Sequence, residues 1–329
     1  LFRPLQLQAR RVDAIIACHF IDDLQIPRRL ELLKKYVLMG ESRLVAPFVV
    51  EALDRHELRR SVGNTRTSGL EGALNLLFEA TVPRPPDPED DAFLNKLHIV
   101  VSSAAATRRR EGVVGPAEFL ETLRLDIELG FPLSLVFPAS VLAQYSKLFR
   151  LLALAHYALH CATRAWQKIS RALSVPNWTL ALRHSMHHFV LTLQRYLLVD
   201  VIAVEFGTLE AQLADAGSLD DVLAAHACFL EACTAKTFLD VGAEVPLSAL
   251  VAMLEQVVRL RRVIDAAPIG AASVPVLHEL RAVETSFKDM RRKLKLSSID
   301  GADGGIARYA GQEDRVEEWF LAWSRRCSA

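Results

Sequence analysis

The longest uninterrupted helical period in this chain begins at Pro138. Leu142, Tyr145, Phe149, Leu152, His156, Leu159, Trp166 and Ile169 recur three, four or seven residues apart, to about Arg171. That spacing is one face of a helix and cannot be one face of a strand. Pro138 suits the first turn, where its missing N–H costs nothing. Pro176 and Asn177 close the region, with Asn177 read as an N-cap for the next helix. A second stripe follows through Leu182, Met186, Phe189, Leu193, Leu197 and Val201, to about Phe206. Stripes this long must be buried against other helices, so the chain is restricted to helix-on-helix packing.

The rest of the chain repeats the pattern in shorter runs. Ile15, Ile16, Phe20 and Leu24, then Leu30, Leu33 and Val37, mark helices on either side of Pro27, with Gly40 as a C-cap. Further helices are expected over Val45–Leu58, Leu70–Ala80, Leu247–Ile264, Val276–Leu294 and Glu313–Trp323. Ser218 with Asp221 resembles a capping box opening a helix through Leu219, Leu223, His226, Leu230 and Cys233. Only Leu123–Leu129 breaks the period: Leu123, Leu125, Ile127 and Leu129 alternate with Arg124, Asp126 and Glu128, as in a half-buried strand. Gly130, Phe131 and Pro132 then turn the chain, and Leu133–Phe137 is expected to return as the partner strand.

The expected fold class is therefore all-α: elongated stacked helical bundles with one small β-hairpin near 123–137. Four prolines and an acidic end make 81–91 read as a flexible linker, and 102–115, with Arg108, Arg109 and Arg110, as a second weak segment. The division is an N-terminal bundle over 1–80, a linker or insertion over 81–115 and a C-terminal bundle over 116–329, or one continuous domain. The glycine-rich 297–312 reads as a loop. No fixed-period repeat appears, which disfavours solenoids.

Lys plus Arg equals Asp plus Glu at 39 each, so no net charge draws the chain to nucleic acid or a membrane surface. The most apolar stretch, Leu148–Ala162, is interrupted by Arg150, His156 and His160 and is too short to insert in a bilayer. Five cysteines without a C-x-x-C pair suit small, partly buried thiols better than a disulfide framework. The chain opens on Leu1 without a signal or transit pattern and reads as part of something longer.

Few residues suggest chemistry. His184 and His188, four apart, share a helix face, but Ser185 and Met186 stand where a zinc protease helix carries its Glu, and His187 points away. His226 lies on an apolar face and reads as a core histidine bonded to a neighbouring helix. Asp22-Asp23 and Glu89-Asp90-Asp91 sit at a helix end and in the linker, and do not suggest an acid/base pair. Phosphate-cradling and nucleophile-elbow motifs are absent, so no catalytic, cofactor or metal residue is expected. Arg28-Arg29 with Lys34-Lys35, Arg108–Arg110, and Arg291-Arg292-Lys293 with Lys295 read as solvated faces or as a surface for an acidic partner.

Four segments, in order, resemble the γ-tubulin complex component family. They are Leu33-Lys34-Lys35-Tyr36-Val37-Leu38-Met39-Gly40; Pro132-Leu133-Ser134-Leu135-Val136 leading to Tyr145 and Leu148-Phe149-Arg150; Leu182 to Val190 with Leu193, Tyr196 and Leu197; and Leu219 to Val222 with Ala225 to Leu230. The third is the most specific and accounts for the histidines without metal. The resemblance implies the C-terminal half of such a component, a non-enzymatic scaffold that holds γ-tubulin to nucleate microtubules. It also implies location at a microtubule-organising centre of the cytoplasmic cytoskeleton, contact with other components through a separate N-terminal half, and GTP only on the bound γ-tubulin. Candidate partner-binding residues are Arg124, Phe131, Lys147, Arg150 and Arg195, from the hairpin and the outer faces of the two long helices. A different helical tether, such as a vesicle-tether rod, and a helical-bundle metalloenzyme using His184 and His188 are the competing readings.

Overall fold

The computed structural model describes residues 2–61, 69–85, 87–102, 115–240 and 242–299. Helix α1 (Phe2–Cys18) continues into π-wound turns at His19–Asp23 and is followed by α2 (Ile26–Leu32), which runs into a second π-wound stretch, Leu33–Val37. Next come α3 (Ser42–Ser61), α4 (Leu70–Thr81), α5 (Pro88–Leu94), β1 (Leu97–Val101), α6 (Pro116–Glu121) and β2 (Leu123–Ile127). The two long helices are α7 (Ala139–Ala172) and α8 (Asn177–Arg195), separated by the short β3 (Leu173–Ser174). A π-wound segment, Tyr196–Ala203, carries α8 into α9 (Val204–Ala214), and α10 (Leu219–Lys236), α11 (Glu244–Ala266), β4 (Gly270–Ala271) and α12 (Val274–Ile299) complete the order. The fold is all-helical with one small antiparallel sheet, as the periodicity requires.

Helix α7 is the centre of the packing. It lies against α3, α6, α8, α11 and β2, and its middle, from Leu151 to Ala155, is buried on every side. Ala153, Ala155, Ala158, Cys161, Ala162 and Ala165 expose nothing; side chains this small let the surrounding helices approach closely. The same buried cluster extends from Phe20 to Leu294 and takes in Leu97 and Ile99, so it crosses all three expected segments.

The strand expected over Leu123–Leu129 is present over Leu123–Ile127, but its partner is not Leu133–Phe137. It pairs antiparallel with β1, Leu97 opposite Ile127 and Val101 opposite Leu123, while Leu133–Leu135 forms a 3₁₀ turn. Pro132 and Pro138 bracket that turn, and neither has an N–H to give a ladder. Upstream, Leu97 and Ile99 bury the same face as β2, and Asn75 of α4 clamps the other edge of β1, accepting from Ile99 N at 2.9 Å and donating to Ile99 O at 3.0 Å.

The proline-rich stretch is also structured where it was expected to be a flexible linker. Pro88 occupies the first turn of α5, and Asp87 caps it by accepting from Glu89 N at 3.0 Å. Asp87 and Asp90 then face the early basic cluster, while Glu89 stays exposed. Asp90, 1% exposed, accepts from Arg28 at 2.8 Å, Lys35 at 2.7 Å and the Tyr36 hydroxyl at 3.0 Å. Arg28 also reaches Asp87 and Glu31, each at 2.8 Å. Arg28 and Lys35 are thus neutralised inside the molecule and are no free surface for an acidic partner. The expected weak segment with Arg108–Arg110, most of the 297–312 loop and the Glu313–Trp323 helix lie outside the described residues.

Polar side chains tie the helices at a few half-buried or buried points. Asp54 of α3 accepts from Tyr157 of α7 at 2.9 Å and from Arg261 of α11 at 2.6 Å, and Arg262 pairs with Glu57 at 2.7 Å. His226 of α10, 2% exposed, bonds Tyr145 of α7 at 2.9 Å and the backbone of Val136. It is the core histidine expected. The Ser218 hydroxyl accepts from Asp221 N at 3.1 Å while the Asp221 carboxylate accepts from Gly217 N at 3.1 Å, which completes the capping motif at α10.

Burial pushes Asp90 toward protonation, but hydrogen bonds from Lys35 and Tyr36 and the charges of Lys35 and Arg28 outweigh it and hold the carboxyl below its ordinary value. A depressed carboxyl stabilises the fold above pH of about 4 and loses that contribution as pH falls through the folded-state value. Asp90→Asn should cost about 2–3 kcal/mol in urea unfolding at neutral pH, and stability below pH of about 4 should fall less steeply than in the parent. His226 behaves oppositely. Burial lowers it to about 4 from 6.5, so the unfolded chain binds the proton first and stability declines as pH drops from 6.5 toward 4. That decline should reach about 3 kcal/mol and be absent in His226→Gln, as read from unfolding midpoints across the range.

Candidate partner-binding surface

The alternation in β2 sorts its side chains. Leu123, Leu125 and Ile127 are buried, while Arg124, Asp126 and Glu128 face outward. The strand is fixed to α7 by two side chains of that helix. The Ser146 hydroxyl accepts from Leu125 N at 3.1 Å and donates to Leu142 O at 2.8 Å. One turn on, Arg150 Nε donates to Leu123 O at 2.9 Å. Burial lowers the Arg150 pKa, Glu121 opposes that and Arg124 adds to it.

Beside this junction a cleft of about 410 Å³ opens between α6, α7 and the start of α11. Leu120, Leu151 and Leu154, all buried, and the half-buried Leu247 and Val251 form its apolar lining. Glu121, Lys147 and Arg150 supply its charges. Lys147 is exposed and makes no hydrogen bond or ion pair with another described residue.

This architecture, with α7 inside a ring of helices and one sheet at its flank, extends over the region matched by a family model described as "Gamma tubulin complex component C-terminal", residues 27–303. The chain belongs to that family. It is similar to gamma-tubulin complex component 2 of Mus musculus, 25% identical over 65% of this chain and 25% of the relative. Gamma-tubulin complex component 3 of Arabidopsis thaliana is 23% identical over 85% of the chain and 33% of its own length, and component 3 of Homo sapiens is 24% identical over 91% and 32%. The chain thus spans a quarter to a third of the length of these gamma-tubulin complex components.

Of the residues singled out in this family member's sequence, Lys147 and Arg150 share the cleft, and Arg124 lies close enough to Arg150 to act on its charge. Arg150 differs from expectation in being half-buried and bonded to β2, because the strand backbone it reaches has an unpaired carbonyl there. Phe131 stands in the turn after β2, 83% exposed, with Leu135 also exposed. Arg195 ends α8. Arg183 Nε, on the same helix, donates to Ala162 O of α7 at 3.1 Å and ties the two helices together.

Leu191 and Val199, four residues to either side of Arg195, are exposed, as is Val204. They were not singled out from the sequence, where an apolar residue beside a buried stripe looks like more core. The stripe itself, Leu182, Met186, Phe189, Leu193, Leu197 and Val201, is buried as read. His184 and His188 are exposed and His187 is half-buried. Burial, with the charges of Arg183 and the two flanking histidines, lowers His187. Among the described residues no group of three or more His, Cys, Asp or Glu is placed to hold a metal ion, and no helix is long and apolar enough to cross a membrane.

The two cleft cations should separate on mutation. Arg150→Met removes the tie to Leu123 O and should lower unfolding stability by about 1–2 kcal/mol. Lys147→Met, which breaks no bond, should stay within about 0.5 kcal/mol. Equal losses would show that Lys147 is structural after all.

Proposed function

We propose that this chain is the γ-tubulin-binding part of a γ-tubulin complex component, a scaffold that positions γ-tubulin for microtubule nucleation and carries out no reaction itself. The observation that carries the reading is the family match across nearly the whole helical core, residues 27–303, with relatives named gamma-tubulin complex components in animals and a plant. The candidate residues of the β2–α7 corner, with Arg195 at the end of α8, support it. Arg124, Phe131, Lys147, Arg150 and Arg195 combine apolar area with positive charge in a chain of zero net charge, the mixture that favours a stable interface with an acidic protein.

In this reading the chain needs no cofactor, and GTP belongs to the bound γ-tubulin. Other complex components are met through a separate N-terminal region, and the assembly resides in the cytoskeleton at a microtubule-organising centre. The benefit of such a scaffold is entropic. Subunits held in order add to a template instead of meeting by chance in solution.

Co-purification tests the reading. The tagged chain should retain purified γ-tubulin at micromolar concentration or below. Phe131→Asp and Arg124→Glu, both in exposed positions, should each weaken retention several-fold while leaving the melting temperature unchanged. A folded chain that retains no γ-tubulin where a known complex component does would overturn the proposal in favour of another helical tether.

A further inference from the structure

We infer that the cleft between α6, α7 and the start of α11 is a socket for one apolar side chain carried on an acidic segment of γ-tubulin, with Lys147 and Arg150 pairing the carboxylate that flanks it. This rests on the reading that the chain binds γ-tubulin, and it names where and by what chemistry.

Size and lining come first. A cleft of about 410 Å³ lies within the range of pockets that enclose a compact group, ample for one large apolar side chain. Its wall of Leu120, Leu151, Leu154 and Val251 offers nothing to a polar group. What enters must therefore be apolar. The walls also resist collapse, since Ser146 and Arg150 bond the backbone of β2 on one side and Asp54, Tyr157 and Arg261 join α7 to α3 and α11.

Charge then selects the occupant. Among the residues lining the cleft, Lys147 and Arg150 outnumber the one carboxylate, Glu121, which leaves an excess of positive charge. Arg150 is held by its Nε on Leu123 O, which orients the guanidinium before a partner arrives. Its desolvation is already complete in part, as the lowered pKa from burial records. An arriving carboxylate gains more in such surroundings than from a fully hydrated pair. A basic segment would meet repulsion, and a neutral one would leave Lys147 without a partner.

Other surface features fall short of this combination. The smaller depression of about 250 Å³ between α2 and α5 also has a basic side, but its Arg28 is committed to Asp87 and Asp90. Ile269 and Val274, at 85% and 80% exposure, protrude singly beside the β3–β4 pair, with no enclosing wall to fit them to a partner.

The test uses purified γ-tubulin and the folded chain, with binding read by fluorescence anisotropy. Lys147→Glu should weaken binding by about tenfold or more, and Lys147→Arg should stay within about twofold. Val251→Trp fills the cleft and should cause a similar loss that does not add to that of Lys147→Glu, since both act on one contact. If Val251→Trp does not fold by circular dichroism, Ala117→Leu fills the cleft from its half-buried margin instead. A photo-crosslinker replacing Glu121 should label a γ-tubulin segment in which an aliphatic or aromatic residue stands within four positions of Asp or Glu. Tight binding by the parent with no loss in Lys147→Glu and the filled variants would overturn the socket and leave the proposed function intact. Crosslinking to a basic segment would do the same. Failure of the parent itself to bind would overturn the function, and the socket with it.

Discussion

The fold depends on how closely other elements approach α7. Over Leu151–Ala155 that helix has no exposed side, and its alanines and Cys161 keep the interaxial distance short enough for α3, α8 and α11 to share one core. An interior this close-packed transmits changes in volume from one helix to the next. It also leaves few positions for polar groups, and those present are consequential. Asp54 receives Tyr157 and Arg261 from two different helices, and His226 receives Tyr145 from a third contact. Such bonds add little net stability over apolar packing, but each is satisfied only in one relative placement of the helices. They set the angle and register that dispersion alone leaves soft.

The same logic explains the chemistry of the surface. Clusters of like charge in the sequence separate into two kinds once folded. Arg28 and Lys35 turn inward to Asp90, where a buried carboxylate requires them. Lys147 has no such obligation and Arg150 has a partial one, so positive potential survives beside an apolar cleft at the corner where β2 meets α7. The proposed binding role would draw on such a surface, partly desolvated and with Lys147 not committed to an internal bond.

Legibility followed the range of the interaction involved. The stripes through Leu142 to Ile169 and Leu182 to Val201 were readable because helix periodicity is local; the second is buried as read, while in the first Leu142, His156 and Leu159 are half-buried and Trp166 is exposed. The strand at Leu123–Ile127 was readable for the same reason. Its partner was not, since Leu97–Val101 has only His98 to mark alternation and follows a proline-rich stretch. The choice between it and Leu133–Phe137 depends on which backbone has donors to offer. Of the candidate surface, Lys147 and Arg150 could be named from the sequence, but not the cleft they line, because Leu120, Leu247 and Val251 arrive from distant parts of the chain. Leu191 and Val199 escaped notice since one sequence does not distinguish core from uncovered apolar surface.

What the sequence determined by itself is the class of architecture and the family. Both follow from local repeats and from the ordered motifs between Leu33 and Leu230. What only the tertiary structure decided is which charges are paired inside the molecule and which stay unpaired. Arg28, Lys35, Lys147 and Arg150 are alike as residues, and their roles diverge because electrostatic pairing depends on three-dimensional distance and burial, neither of which sequence separation encodes.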